Sequence, residues 1–118
     1  MTRDMDLIRA LLMKIEELPS TGPRGGIEIE GYTKDQVIYH AQLAHDADFI
    51  EAVFLLPDDF AVERLTYAGH EFLDAAREDK IWKKAKETVL HNAGTLTLEA
   101  LKTALAMLMQ QAVHGKIA

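Results

Sequence analysis

The sequence contains no cysteine. That absence excludes a disulfide framework, a cysteine-ligated zinc site, an iron–sulfur cluster and a thiol nucleophile. Chains that work in a reducing compartment often lack cysteine, and we expect a cytoplasmic location. We expect no cofactor, because the glycines of 22–26 are not followed by the Lys-Ser/Thr ending of a phosphate-binding loop.

Long apolar runs are missing as well. The unbroken apolar stretches span only a few residues, whereas a membrane-spanning helix needs about 20. Two acids, Asp4 and Asp6, precede the first apolar stretch, and a secretory signal would instead have a basic start and a longer apolar run. The sequence therefore predicts neither a membrane span nor a secretory leader.

Positive charge is scarce. Thirteen lysines and arginines stand against 19 acids, which gives a net charge of −6. Such a chain is unsuited to indiscriminate phosphate binding. The 118 residues, 48% of them hydrophobic, suffice for one domain with its own core, and we predict a single domain over 1–118.

The first half of the sequence predicts a helix, a short strand, a second helix and a β-hairpin. Apolar spacings of three and four predict the first helix over 4–18, and Ser20–Gly26 is a loop rich in turn residues. The alternation Ile27-Glu28-Ile29-Glu30 predicts a strand. Thr33 and Gln36 form a capping box at the start of a helix that ends near Ala47. The stretches 49–56 and 60–65 flank the turn residues 57–59 and predict the hairpin.

The second half of the sequence predicts helices. Thr66 caps a third helix whose apolar positions continue to Val89, and residues 77–79 allow either a break or a bend. Gly94 provides the C-cap. A last helix within 95–114, capped by Thr97, carries leucines at 98, 101, 105 and 108.

The predicted fold class is α+β. A helix followed by a two-stranded wing is the winged-helix arrangement, and here it is followed by a C-terminal helical extension. The first helix of the usual helix-turn-helix pair is expected to be missing or shortened, because only residues 19–32 occupy its place.

Two stretches of the chain resemble a known family. They are the opening Arg3-Asp4-Met5-Asp6-Leu7-Ile8-Arg9 and the segment Arg64–Ala75, which reads RLTYAGHEFLDA, followed by Ile81-Trp82. With Gly31-Tyr32 and Tyr39-His40, they resemble small phage and prophage proteins grouped as a domain of unknown function. The resemblance implies a winged-helix-like fold and a bacterial or phage origin, and it brings no catalytic residues.

A winged-helix protein would present its second helix and its wing to DNA. Residues 33–64 carry two positive and seven negative side chains, a net charge of −5. Phosphate contacts dominate DNA affinity, so this surface is expected to repel DNA. The candidate DNA contacts are Lys34, Gln36, His40 and Gln42. The acids form instead a candidate face for a protein partner with a basic surface: Asp35, Asp46, Asp48, Asp58, Asp59 and Glu63.

Two further surfaces stand out in the C-terminal third. A candidate basic patch comprises Arg77, Lys80, Lys83, Lys84 and Lys86. Its positions fit a solvated helix face better than a site for nucleic acid or an acidic partner, and acids at 78, 79 and 87 dilute its charge. The last helix carries more apolar surface than one core face needs. Met107, Met109 and Ala112 are its candidate homodimer contact.

The sequence argues against catalysis. His40 and His45 lie about 140° apart around a helix, so they do not share a face as metal ligands would. His70-Glu71 lacks the second histidine of the zinc-protease motif. We therefore expect no catalytic or metal site and no enzyme. The predicted function is a regulatory or interaction module of phage or prophage type, and the alternative is a regulator that binds double-stranded DNA.

Overall fold

The computed structural model describes residues 1–19, 25–55 and 57–117, with side chains up to residue 114. Within this part of the chain it contains five helices and two strands. They are α1 (Met5–Glu16), α2 (Lys34–Asp46), β1 (Ile50–Leu55), β2 (Asp59–Leu65), α3 (Tyr67–Ala76), α4 (Asp79–Ala93) and α5 (Leu98–Ile117). The α+β class is confirmed, and the order of elements is compatible with a winged-helix-like arrangement.

The chain divides into two compact units, Met1–Leu73 and Asp74–Ala118. In the first unit, α1 contacts α2 and β2, and α2 contacts β1. Its core combines the buried faces of α1 and α2 with aromatic and aliphatic residues of the hairpin, the turn before it and α3. They include Leu7, Leu11, Leu12, Val37, Phe49, Ile50, Val62, Phe72 and Leu73. The single domain over 1–118 stays a prediction.

In the second unit, α4 packs against α5. Trp82, Ala85 and Val89 are buried on α4. Leu101, Ala104 and Leu105 are buried on α5. Gly94 adopts the left-handed conformation with φ 76° and donates its N–H to the Leu90 carbonyl, as the sequence predicted. Leu98 and Leu108 are only half-buried, so two of the four leucines of the last helix lie at the edge of the core.

The predicted strand over 27–30 is wrong. Among the described residues the sheet has two strands, β1 and β2. The Tyr32 N–H donates to the Ile29 carbonyl at 3.2 Å, and this turn begins inside the predicted strand. The isoleucines are still half-buried and the glutamates exposed. The alternation therefore reports burial correctly, although no strand in the described part of the chain pairs with the segment.

The helix boundaries follow their caps. Asp4, predicted inside α1, is its N-cap, since its Oδ1 accepts from the N–H groups of Asp6 (2.9 Å) and Leu7 (3.4 Å). The helix ends at Glu16 rather than near residue 18, because a residue that precedes a proline avoids the helical conformation. Between α3 and α4, Glu78 is extended with ψ 127°. The chain therefore breaks there rather than bends.

The hairpin is confirmed, with one irregularity. Ile50 pairs with Leu65 and Glu51 with Arg64, and the register then shifts so that Ala52 pairs with Val62. Glu63 is the extra residue of this bulge. Of the predicted segments, residues 20–24 of the loop and residue 56 of the strand lie outside the described residues.

Candidate functional site

The six predicted acids are all exposed, but they do not form one continuous face. Lys34 Nζ lies 3.8 Å from Asp58 Oδ2, so the hairpin tip with Asp58 and Asp59 reaches the start of α2, beside Asp35. Asp46 lies at the other end of α2, about 16 Å away at 1.5 Å per residue. Asp48 follows it in the turn to β1 with φ 64°. We call the residues Asp35, Asp58 and Asp59 the acidic tip.

The candidate DNA contacts are mostly engaged within the protein. Lys34 pairs with Asp58. The Gln36 side chain accepts from the Thr33 N–H at 2.8 Å, which completes the predicted capping box. His40 is 1% exposed, so it does not reach the surface where a base contact would form. Gln42 is exposed.

His40 instead joins α2 to the start of α1. The Asp4 N–H donates to His40 Nε2 at 2.8 Å. Because that nitrogen accepts, Nδ1 carries the ring proton and donates to the Gln36 carbonyl at 2.8 Å. Tyr32 Oη donates to Asp4 Oδ2 at 3.1 Å. Three of the segments that carry the family resemblance therefore meet in one hydrogen-bond network, and the role of their polar residues there is structural.

The other segment of the resemblance has a structural role as well. The Thr66 hydroxyl donates to the Asp48 carbonyl and accepts from the Gly69 N–H, while the Thr66 N–H donates to the Phe49 carbonyl at 2.9 Å. The Phe72 ring stacks on Phe49 at 4.8 Å between centroids. These contacts fix the start of α3 against the turn that precedes β1.

Tyr32 gives the Asp4 network a pH dependence. Burial, followed by the negative charge of Asp4 and the hydrogen bond to it, raises the Tyr32 pKa above its ordinary value of 10.0. A folded pKa above the unfolded one means that the stabilisation is complete below about pH 10 and is lost as the pH rises through the folded pKa. Tyr32→Phe is therefore expected to lower the urea midpoint at pH 8, with a difference from wild type that shrinks above pH 10.

The control for this experiment is Tyr67→Phe, because Tyr67 is 80% exposed. Its midpoint is expected to follow that of the wild type throughout. A Tyr32→Phe deficit that stays constant from pH 8 to strongly alkaline solution would contradict the assignment.

The outer face of the hairpin is a feature that the sequence analysis missed. Val53 is 51% exposed and Leu55 is 48% exposed. Glu51, on the same face of β1, forms a two-point ion pair with Arg64, at 2.7 Å and 3.2 Å. The signal was present in the sequence, because residues 51, 53 and 55 share one strand face and a charged residue at 51 marks that face as solvent-exposed. We call Val53 and Leu55, with Ala61 opposite Val53, the apolar hairpin face.

The predicted basic patch is reduced by internal contacts. Arg77 pairs with Asp74 at 2.9 Å, and Lys86 Nζ lies 5.6 Å from the Trp82 ring centre in a cation–π contact. Lys80, Lys83 and Lys84 are exposed along α4. The remaining patch is three lysines on one helix.

The candidate dimer residues point in different directions. Met107 is 57% exposed and lines a groove of 560 Å³ between α4 and α5. Met109 is 37% exposed, and two residues along a helix place it about 200° away from Met107. Ala112 is also exposed and does not line the groove. A single contact surface therefore cannot use both methionines.

A larger hollow of 880 Å³ lies in the first unit, among α1, residues 25–32, α2 and β2. Leu18 and Gly25 line it, and the chain between them includes residues 20–24, which lie outside the described residues. We therefore assign it no ligand. In the described part of the chain, no group of three or more histidines and acids is placed to hold a metal ion. Among the described helices, none combines the length and apolar character that crossing a bilayer demands.

Comparison with known proteins identifies the family. Residues 2–95 match the family described as "Hypothetical protein (DUF2513)". A protein of Haemophilus influenzae, described as an uncharacterized protein, is 33% identical over 117 residues, and the match covers 94% of this chain and 98% of that relative. No solved structure matches the chain significantly. The family match spans most of the chain and agrees with the domain of unknown function that the motifs indicate, so the protein belongs to the DUF2513 family.

Proposed function

We propose that this chain is a non-catalytic regulatory or interaction module of phage or prophage type, with a winged-helix-like arrangement. It acts in the bacterial cytoplasm by binding a protein with a basic surface. The phage or prophage origin rests on the resemblance of the motifs, and the location on the absence of cysteine. The rest of the proposal rests on the hairpin and the acids around it.

The observation that carries the proposal is the position of the apolar hairpin face beside the acidic tip. Leu55 pairs with Asp59 across the hairpin, and Asp58 is adjacent. Val53 and Leu55 are each about half exposed. Protein interfaces combine an apolar centre with a polar rim, and carboxylates at that rim favour a partner with lysines or arginines.

Duplex DNA, the alternative partner, fits the same surface less well. Carboxylates at the tip oppose a phosphate backbone, and exposed aliphatic side chains offer phosphates no hydrogen bond. The one lysine of α2 is already next to Asp58. Three of the four candidate DNA contacts already interact with other residues of the protein. The fourth, Gln42, is exposed.

The test is a pair of selections on the full chain, one with a displayed peptide library and one with random duplex DNA. The recovered peptides are expected to combine lysine or arginine with aliphatic residues. Val53→Asp is expected to weaken their binding at least about tenfold, because it places a charge in the centre of an apolar contact. The duplex selection is expected to yield no consensus bound at about 10⁻⁸–10⁻¹¹ M in ~150 mM salt, the range of specific DNA binders.

Leu90→Asp is the matched control, because Leu90 is a 47% exposed aliphatic residue of the second unit. It is expected to leave peptide binding unchanged. Recovery of a tightly bound duplex consensus would replace the proposal with the DNA-binding alternative. Equal peptide binding by wild type and Val53→Asp would remove the hairpin face from the proposal.

A further inference from the structure

The groove between α4 and α5 has an apolar floor. Val89 and Ala93 line it from α4, and Ala100, Ala104 and Met107 line it from α5. The alanines have short side chains that allow another helix to approach closely. Met107 is more than half exposed, and methionine adapts its shape to irregular apolar contacts.

Two threonines that line the groove have hydroxyls that already donate hydrogen bonds within the protein. The Thr88 hydroxyl donates to the Lys84 carbonyl at 2.8 Å, one turn back on α4. The Thr103 hydroxyl donates to the Glu99 carbonyl at 3.0 Å, one turn back on α5. Because both hydroxyls already have acceptors inside their own helices, covering the groove leaves neither of them without a hydrogen bond.

The charges of the groove are arranged for a copy of itself. Lys84 is the first residue of α4 that lines the groove, and Glu99 is the first of α5. Only residues 94–97 connect the two packed helices, so α4 and α5 run antiparallel. Lys84 and Glu99 therefore lie towards opposite ends of the groove. Nine residues from Lys84 to Ala93 correspond to about 14 Å. A two-fold axis that crosses the middle of the groove at right angles to the helices exchanges its two ends. It therefore places Lys84 of each chain at the end that carries Glu99 of the second chain.

We propose that this groove is a homodimer interface, in which α4 and α5 of one chain pack against α4 and α5 of a second copy around a two-fold axis. A two-fold contact uses the same patch on both chains, so a patch with opposite charges at its two ends complements itself. The four helices then share one apolar centre, flanked by two Lys84–Glu99 pairs. This surface is independent of the hairpin that carries the proposed function.

Light scattering across a concentration series provides the first measurement. The wild type is expected to approach twice the 13.2 kDa mass of one chain. Lys84→Glu and Glu99→Lys are each expected to raise the dimer dissociation constant at least about tenfold, because each places like charges opposite one another twice. The double variant K84E/E99K restores both pairs and is expected to dimerise again. An equimolar mixture of the two single variants is expected to form a heterodimer, since every facing pair is then of opposite sign.

Two matched controls separate the groove from a general charge or apolar effect. Lys83→Glu and Glu87→Lys change exposed charges on α4 that do not line the groove, and both are expected to dimerise like the wild type. Met107→Glu is expected to give a folded monomer, whereas Met109→Glu is expected to leave the dimer intact. Helix content and the melting curve establish that each variant is folded.

Either of two results would overturn the dimer. One is a wild type that stays at the mass of a single chain up to its solubility limit. The other is a folded double variant K84E/E99K that remains monomeric while the wild type dimerises, because self-association would then use another surface. Neither result bears on peptide binding by the hairpin, so the two proposals fail separately.

Discussion

Replacement of Phe72 by alanine is expected to lower the free energy of unfolding by about 3–5 kcal/mol, the usual cost of removing a buried aromatic ring. Phe72 is 5% exposed, and its ring stacks on Phe49, which is 1% exposed. The substitution removes apolar burial and leaves a cavity against Phe49. Urea unfolding followed by circular dichroism measures the loss.

Tyr67→Ala is the matched control for Phe72→Ala. It removes an aromatic ring from the same helix, but Tyr67 is 80% exposed. Surface substitutions usually change stability by no more than about 0.5 kcal/mol, and that is the expected result. If Phe72→Ala cost less than about 1 kcal/mol, the position of α3 against Phe49 would be wrong.

Gly69→Ala is expected to destabilise the protein by about 3 kcal/mol or more, the upper end of the cost of overpacking. A Cβ atom at position 69 would lie 2.1 Å from the Phe49 carbonyl oxygen. That carbonyl belongs to the backbone and already accepts a hydrogen bond from the Thr66 N–H. The added Cβ atom therefore fits only if α3 moves away from Phe49. Helix propensity acts in the opposite direction, since alanine is favoured over glycine by about 1 kcal/mol inside a helix. If Gly69→Ala lowers the free energy of unfolding, close packing outweighs helix propensity. If it raises the free energy of unfolding, helix propensity outweighs close packing.

Gly25→Ala provides the comparison. Its added Cβ would lie 3.7 Å from the Phe60 carbonyl oxygen, which is an ordinary contact, and the urea midpoint is expected to change little. A Gly69→Ala protein as stable as the wild type would show that α3 does not approach Phe49 as closely as described.

The sequence was most informative where the chemistry is local. The capping box of Thr33 and Gln36 and the C-cap at Gly94 depend on residues a few positions apart, and both are confirmed. The strand predicted over 27–30 failed because alternation reports which side chains are buried, whereas a strand also needs a partner. The ends of α1 and the break at Glu78 were predicted to within a few residues, because caps, prolines and turn residues close in the sequence determine them.

The candidate site was harder to predict because it depends on long-range placement. Nothing local in the sequence shows that Asp58 lies beside Lys34 or that Asp46 is a helix length away from both. His40 was a candidate DNA contact, but its side chain is buried and accepts a hydrogen bond from Asp4, 36 residues earlier. The close approach of Gly69 to Phe49 was equally hidden, since the glycine stands inside an otherwise ordinary helix.

The bond from Asp4 to His40 has a consequence for the order in which the protein is completed during synthesis. The α1 segment leaves the ribosome before α2, but its 12 residues are about the length at which an isolated helix is only marginally stable in water. Its N-cap residue, Asp4, also forms hydrogen bonds with Tyr32 and His40, which are translated later. The start of α1 therefore gains its full set of hydrogen bonds only after Tyr32 and α2 have been synthesised.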